Sequence, residues 1–424
     1  MTAMWQWLET TRAARESRGL ARTARVRVEG TGGLDGSAGS DGLGGLVDLA
    51  SNDYLGMARD PRVVAAGLSA LRTYGAGARA SRVVTGTLPP HEEAERALCE
   101  LTGQESALVL ASGYAANIAV VTALGGPGTL LVTDEHIHAS VHDAARLSRS
   151  PRVTTPHGDV EAVEAALAAR AEPRALVVVE SIYSVLGDAA DLPALAAVCA
   201  RHDALLLVDE AHGIGVVGDG RGGVHAAGLA GHDHVILTAT LSKAVGAQGG
   251  AVLGPARLRR HLVDVARAFI FDTGLAPASA AAAARACRII ADEPERVAGI
   301  ARRAGIVAQT CGVPQAAGAV QSLPMRSPEA AVAATAELEA RGVLVGCFRP
   351  PSVPDGVSRL RLCADAGLDV EAVTRAAELV ARVADAHGRA NPPATESTRG
   401  APDGASGVEF RGEATVLEPA GPRP

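Results

Sequence analysis

The feature that most narrows the fold is a series of short, unbroken apolar runs through the middle of the chain. They are 107–111 (ALVLA), 129–133 (TLLVT), 174–180 (RALVVVE), 204–209 (ALLLVD), 234–240 (HVILTAT) and 250–253 (GAVL). A strand with one wet face alternates polar and apolar residues. A run without alternation reads as a strand buried on both faces. Helical stretches such as 91–102 and 159–170 lie between some of the runs. That alternation predicts an α/β fold, a doubly wound and mostly parallel sheet spanning 47–275. Only 2% of the 424 residues are aromatic, so the layers must be filled by Ala, Val and Leu.

The flanks read differently. Residues 5–24 suit a basic helix, and 29–46 form a Gly/Ser/Asp linker that cannot build a core, so 1–46 stand outside the large domain. Residues 276–388 read as a smaller α+β domain. Their Ala/Arg-rich stretch 278–310 is helical, short strands follow near 319–325, 343–347 and 358–363, and a helix closes the domain at 369–387. Residues 389–424, rich in Pro, Gly, Ala and Glu, are expected to be a disordered tail. No internal repeat is visible. The net charge of −7 comes without a basic block, which argues against nucleic-acid and membrane-surface partners. No uncharged apolar stretch is long enough for a membrane span. Glu9, Glu16 and the lack of an apolar run argue against a signal peptide. The six cysteines contain no CxxC pair, and they fit small core residues in a reducing cytoplasm.

The chemistry collects at the ends of the apolar runs. Lys243, in Thr240-Leu241-Ser242-Lys243, is the chain's single lysine against 39 arginines. Desolvation can free a lysine of its proton for Schiff-base chemistry, whereas arginine stays charged. Asp209 closes the run 204–209 inside VDEAHG (208–213), and His212 follows three residues on. A carboxylate there can pair with the pyridine nitrogen of pyridoxal phosphate (PLP), and the histidine can approach its phenolic oxygen. The letters Asp-Glu-Ala-His also occur in nucleotide-driven helicases, but the chain has no GxxxxGK[ST] phosphate loop. Ser112-Gly113-Tyr114 joins the run 107–111 to a helix whose N-terminus suits a phosphate. His138, in DEHIHAS (134–140), can stack on a planar ring. With His136 and His142 it lacks the carboxylate or cysteine set of a metal site, so no metal is expected. Taken singly, each motif has an ordinary structural reading: a surface lysine, a capping Asp/His pair, a common glycine turn. Their order along successive strands is what favours a cofactor site.

These residues, with SNDYLG (51–56), GAG…SRVVTG (75–86), SGYAAN (112–117), HAS (138–140), TLSKA (240–244), FIFDTGLAP (269–277), FRPPSVP (348–354) and RLRL (359–362), are similar to one known family. From Val47 to residue 387 the chain resembles the α-oxoamine synthases, PLP-dependent transferases of fold type I. The resemblance implies decarboxylative condensation of L-alanine with a pimeloyl thioester, pimeloyl-CoA or pimeloyl-[acyl-carrier protein]. The product would be 8-amino-7-oxononanoate, in biotin biosynthesis. FIFDTGLAP and GCFRPP favour that branch. It implies that Lys243 carries PLP and moves protons, and that Asp209 pairs with the ring nitrogen. His212 and Ser184, in ESIYS (180–184), would face the phenolic oxygen, and His138 would stack on the ring. Gly113, Tyr114 and Thr240 would hold the phosphate. Thr273 would reach the partner subunit's phosphate in a homodimer with shared sites. Arg361 would grip the amino-acid carboxylate, and Ser352 would lie in the loop meeting the substrate. Three stretches depart from the family pattern. Ala21 replaces an arginine that serves the acyl substrate, leaving Arg22 or Arg18 to substitute. Arg79-Ala80 occupies the glycine-rich turn. Cys363-Ala364-Asp365-Ala366 lacks a common histidine. Other readings are a different α-oxoamine synthase, such as a glycine C-acetyltransferase or aminolevulinate synthase, or a secondary-metabolism acyltransferase. An inactive PLP-fold interaction subunit is disfavoured by the presence of Lys243.

Overall fold

The computed structural model describes residues 2–18, 21–22, 24, 26, 46–350 and 352–390. Most of the linker read at 29–46 and nearly all of the tail, from 391, lie outside the described residues. In chain order the strands are β1 (Val47–Asp48), β2 (Ser106–Leu110), β3 (Thr129–Asp134), β4 (Arg152–Thr155), β5 (Arg174–Glu180), β6 (Leu205–Asp209), β7 (Val235–Thr240), β8 (Gly250–Gly254), β9 (Val320–Met325), β10 (Val343–Leu344), β11 (Gly346–Phe348) and β12 (Ser358–Cys363).

Every apolar run of the sequence is a strand of one seven-stranded sheet, ordered β2-β8-β7-β6-β5-β3-β4. All neighbours are parallel except β8, which is antiparallel to β2 and β7. Consecutive strand residues point to opposite faces. Val177, Val179, Leu206, Val208 and Leu237 belong to the core on one face. Leu176, Val178, Leu207 and Ile236 belong to the core on the other. Both faces are therefore covered by helices, which is why the runs do not alternate. Each fully buried Leu contributes about 1.5–3 kcal/mol. No apolar run announced β4, because it is an edge strand with Arg152, Val153 and Thr154 exposed.

From β3 the chain moves outward to β4, returns past β3 to β5, and continues the other way through β6 and β7. Open α/β sheets bind ligands at the carboxyl ends of strands around such a reversal. The loops that leave those ends carry His138, Ser184, His212 and Lys243.

The helical stretch read at 278–310 is two helices, Pro277–Asp292 and Pro294–Cys311. Pro294 lacks the N–H needed to continue a helix and restricts the residue before it. The first of the pair packs against Pro61–Tyr74 and Pro89–Thr102. A three-stranded antiparallel sheet, β11-β12-β9, follows. Its core includes residues of the helices Pro294–Cys311, Pro328–Ala340 and Val370–His387. The segment read as one strand at 343–347 splits at Val345. β10 pairs in parallel with β1, and β11 joins β12. The N-terminal helix is shorter than its reading, Ala3–Ser17, and buries no residue.

Two local devices aim the chain at the reversal. In β12, Leu360 and Leu362 enter the small core, so the period of two turns Arg359 and Arg361 to the other face. After Lys243, Gly246 sits at φ 65°, and a Cβ there would lie 2.4 Å from Ala58 N and 2.6 Å from Met57 Cβ. Only glycine lets this turn pack under the segment that delivers Tyr54. Gly246→Ala is expected to cost about 2–3 kcal/mol. The check is a lower urea midpoint at unchanged slope.

Candidate active site

The site is a chain of polar contacts that ends on Lys243. Its Nζ lies 2.7 Å from His212 Nε2, and His212 Nδ1 lies 2.7 Å from the Tyr54 hydroxyl. Tyr54 donates to Asn52 Oδ1 at 3.0 Å. Arg361 closes the chain. Its Nη2 donates to Tyr54 at 3.3 Å, its Nη1 to Asn52 Oδ1 at 3.0 Å, and its Nε to the Ser184 carbonyl at 2.7 Å. Arg361 is 4% exposed, an expensive place for a charge unless its donors are paired, as these are. Burial pulls the Lys243 pKa down, opposed chiefly by the charge of Asp209. Burial and the nearby Lys243 charge hold His212 well below the usual imidazole range, so the histidine is neutral.

Asp209 ends β6 and is buried. It accepts from Asn117 Nδ2 at 2.7 Å and from the Ala211 N–H at 2.9 Å. Asn117 is itself fixed, accepting from Thr238 at 2.7 Å and donating to Ser140 at 2.9 Å. Ser140 Oγ lies 2.7 Å from Nδ1 of His138, whose side chain is exposed. One asparagine therefore orients the buried carboxylate and, through Ser140, the exposed imidazole.

A helix start lined by glycine lies beside this cluster. Ser112 caps the helix Gly113–Leu124, which leaves the first N–H groups at its N-terminus. A Cβ on Gly113 would come within 3.0 Å of Thr240 Cβ. A Cβ on Gly250 would lie 2.3 Å from the Ser112 backbone. The two glycines thus let the helix start lie against the Thr240 turn, where Thr240 Oγ1 and Ser242 Oγ are 2.7 Å apart.

Other expected residues lie outside this cluster. Arg22 Nη2 donates to Ser352 Oγ at 2.7 Å, joining two residues expected to meet substrate across 330 positions. Thr273 is exposed, bridges to Ser81, and lines a small cleft with Ala111 and Arg82. Tyr114 is exposed and donates to Asp143 at 2.5 Å. No group of three or more metal-ligating side chains occurs among the described residues.

The profile of the family "Aminotransferase class I and II" matches residues 45–380. An 8-amino-7-oxononanoate synthase of Mycolicibacterium vanbaalenii is 51% identical over 379 residues, covering 89% of this chain and 96% of that one. The enzyme of the same name from Mycolicibacterium smegmatis is also 51% identical, with the same coverage. The chain belongs to the 8-amino-7-oxononanoate synthase family, within the class I and II aminotransferases. Solved relatives of this family's fold include a Sphingomonas wittichii serine palmitoyltransferase. It has TM-score 0.82 and 30% identity, over 91% of this chain and 98% of that one. An 8-amino-7-oxononanoate synthase from Francisella tularensis shares the fold at TM-score 0.69 and 21% identity, over 80% of this chain and 97% of that one.

The residues present fit the PLP of such enzymes. A half-buried lysine, a buried carboxylate held by two donors, an exposed imidazole and a glycine-cradled helix start would supply amine, ring-nitrogen partner, stacking face and phosphate donors. The sequence reading quoted Asn52, Tyr54, Asn117, Ser140 and Glu180 inside motifs but gave them no role. Each is a polar residue without a local pattern of its own.

A second polar knot fastens the loops that carry His138 and Ser184. His157 contacts Asp134 Oδ1 at 3.0 Å through Nδ1 and Asp188 Oδ2 at 2.8 Å through Nε2. Burial alone would lower its pKa, but the two carboxylates overcome that and push it up to about 10. A raised folded pKa gives stability that is complete below the unfolded value, roughly 6.5, and disappears as pH rises through the folded one. His157→Gln is therefore expected to cost about 1–3 kcal/mol near neutral pH. Measured by urea unfolding, the gap from wild type should be full below pH ~6.5 and close as pH passes ~10.

Proposed function

We propose that this chain is a PLP-dependent acyltransferase. It joins L-alanine to a pimeloyl thioester, CoA- or carrier-protein-bound, giving 8-amino-7-oxononanoate, CO₂ and the free thiol. The observation that carries the reading is the contact of the chain's one lysine amine with a neutral His212, beside an Asp209 fixed by Asn117. When bound, PLP supplies an electron sink for the negative charge left at the amino acid's Cα.

The chain's own residues do the rest. Arg361 holds the amino-acid carboxylate and so sets the angle of the Cα–H bond. Lys243 Nζ, kept reluctant to hold a proton by burial, takes the Cα proton and later returns one. Asp209, held in place by the Asn117 and Ala211 donors, pairs with the ring nitrogen. His138 covers the ring, and His212 with Ser184 faces its phenolic oxygen. Backbone N–H groups of Gly113 and Tyr114, with the Thr240 hydroxyl, hold the phosphate. Arg22 and Ser352 receive the acyl donor. The new carbon–carbon bond joins alanine Cα to the thioester carbonyl carbon, the thiol leaves, and the carboxylate departs as CO₂.

The enzyme works as a homodimer in this reading, with Thr273 serving the partner's phosphate. Exposed apolar side chains support it: Val84 is 72% and Phe271 68% exposed, with Val83 and Tyr114 also open. The six free cysteines suit the reducing cytoplasm. Among the described residues, no helix is long and apolar enough to cross a membrane.

Borohydride reduction of the holoprotein followed by peptide mapping is expected to label Lys243 alone. An unlabelled Lys243 peptide would refute the cofactor assignment. L-Alanine with pimeloyl-CoA should give the oxo-amine by mass detection; labelling without product would keep the cofactor and reject these substrates. Asp209→Asn should lower kcat by about 100-fold or more. Arg361→Ala should act chiefly on L-alanine, raising its KM by about 30-fold or more.

A further inference from the structure

Glu180 is a buried acid that the proposed chemistry leaves unused. It ends β5 in register with Asp209 at the end of β6, so the two carboxyl groups stand side by side at the reversal. They are 3% and 5% exposed. Two negative charges so placed cannot both be solvated, and the environments of the pair are unequal. Asp209 accepts from Asn117 Nδ2 at 2.7 Å and Ala211 N at 2.9 Å. Among the described residues, Glu180 accepts from the Ser184 N–H alone, at 3.0 Å on Oε2, and its Oε1 is buried with no partner.

We propose that Glu180 is the neutral acid of this site, a positioning residue that leaves Asp209 as the anion and braces the Arg361 pocket from beneath. The proposal rests on the roles given above to Asp209 and Lys243. Burial and the Asp209 charge both push the Glu180 pKa up, while Lys243 opposes them. The other charged groups that act with it are Asp134 and Arg361. The brace is a relay of two bonds: Glu180 Oε2 takes the Ser184 N–H, and the Ser184 carbonyl takes Arg361 Nε at 2.7 Å. As an anion Glu180 would do harm twice. It would hold Lys243 protonated, and it would repel the carboxylate that Arg361 receives.

The test compares full-length wild type with Glu180→Gln, an uncharged isostere that can still accept from Ser184. Infrared spectra of the cofactor-free chain at pH 7 should show a protonated-carboxyl band that Glu180→Gln removes. A band unchanged in the variant overturns the proposal. In the holoprotein, the pH midpoint of the cofactor's visible absorbance should stay within about 0.3 unit in Glu180→Gln. A fall of about one unit or more, the mark of a lost anion, would overturn it. Glu180→Asp, which withdraws the acceptor from Ser184, should weaken L-alanine binding about tenfold, a loss of about 1.4 kcal/mol. Unweakened binding would refute the brace. If Glu180→Gln does not fold, wild type labelled with carbon-13 glutamate decides the point. A protonated glutamate band that responds to cofactor loading supports the proposal; no band, or one indifferent to loading, overturns it. Because the first measurement needs no cofactor, failure of the Lys243 assignment by borohydride remains distinguishable from failure of Glu180.

Discussion

An amine is a useful base at neutral pH only where water cannot solvate its ammonium form, and this requirement organises the carboxyl edge of the large sheet. Lys243 leaves a buried strand and turns under the Met57–Ala58 backbone, with His212 as its neighbour. The same dryness constrains everything around it. A polar group placed there must find a partner. Asn117 does this for Asp209 and Ser140, Asn52 and Tyr54 do it for Arg361, and Asp134 with Asp188 does it for His157. The site is less a set of separate catalytic groups than one hydrogen-bonded fabric in which each member excuses the burial of the next.

Much of this was legible from the chain alone, for a physical reason. Strands buried on both faces leave unbroken apolar runs, and Val177–Val178 or Leu206–Leu207 cannot easily be read otherwise. Strand ends then locate Asp209, His212 and Lys243 without coordinates. Legibility fails where the deciding interaction is distant in sequence. Glu180 ends the apolar run 174–180, yet its surroundings depend on Asp209 and Ser184. Asn52 meets Arg361 across 309 positions. The edge strand β4 carries exposed polar residues, and edge strands have little apolar pattern to show. The break at Glu293–Pro294 had a proline to announce it, but the Ala-rich composition on both sides hid the boundary.

The scarcity of lysine acquires a structural sense. Arginine serves the buried ion pairs, as where Arg82 meets Glu95 at 2.9 Å with both side chains nearly inaccessible. It remains charged there under any ordinary condition. A chain that relies on arginine for such pairs presents a reactive aldehyde with one side-chain amine.

The pairing of Val47–Asp48 with Val343–Leu344 stitches an early part of the chain to its last third. The Cys363 N–H bonds the Leu49 carbonyl at 2.7 Å, and the Ala366 N–H bonds the Tyr54 carbonyl at 2.8 Å. During synthesis, Asn52 and Tyr54 emerge early and must wait for Arg361. At roughly 5–20 residues per second, that interval is roughly 15–60 s. The ribosome therefore releases the central sheet well before the pocket can close, and the finished site is a late event in the life of each new chain.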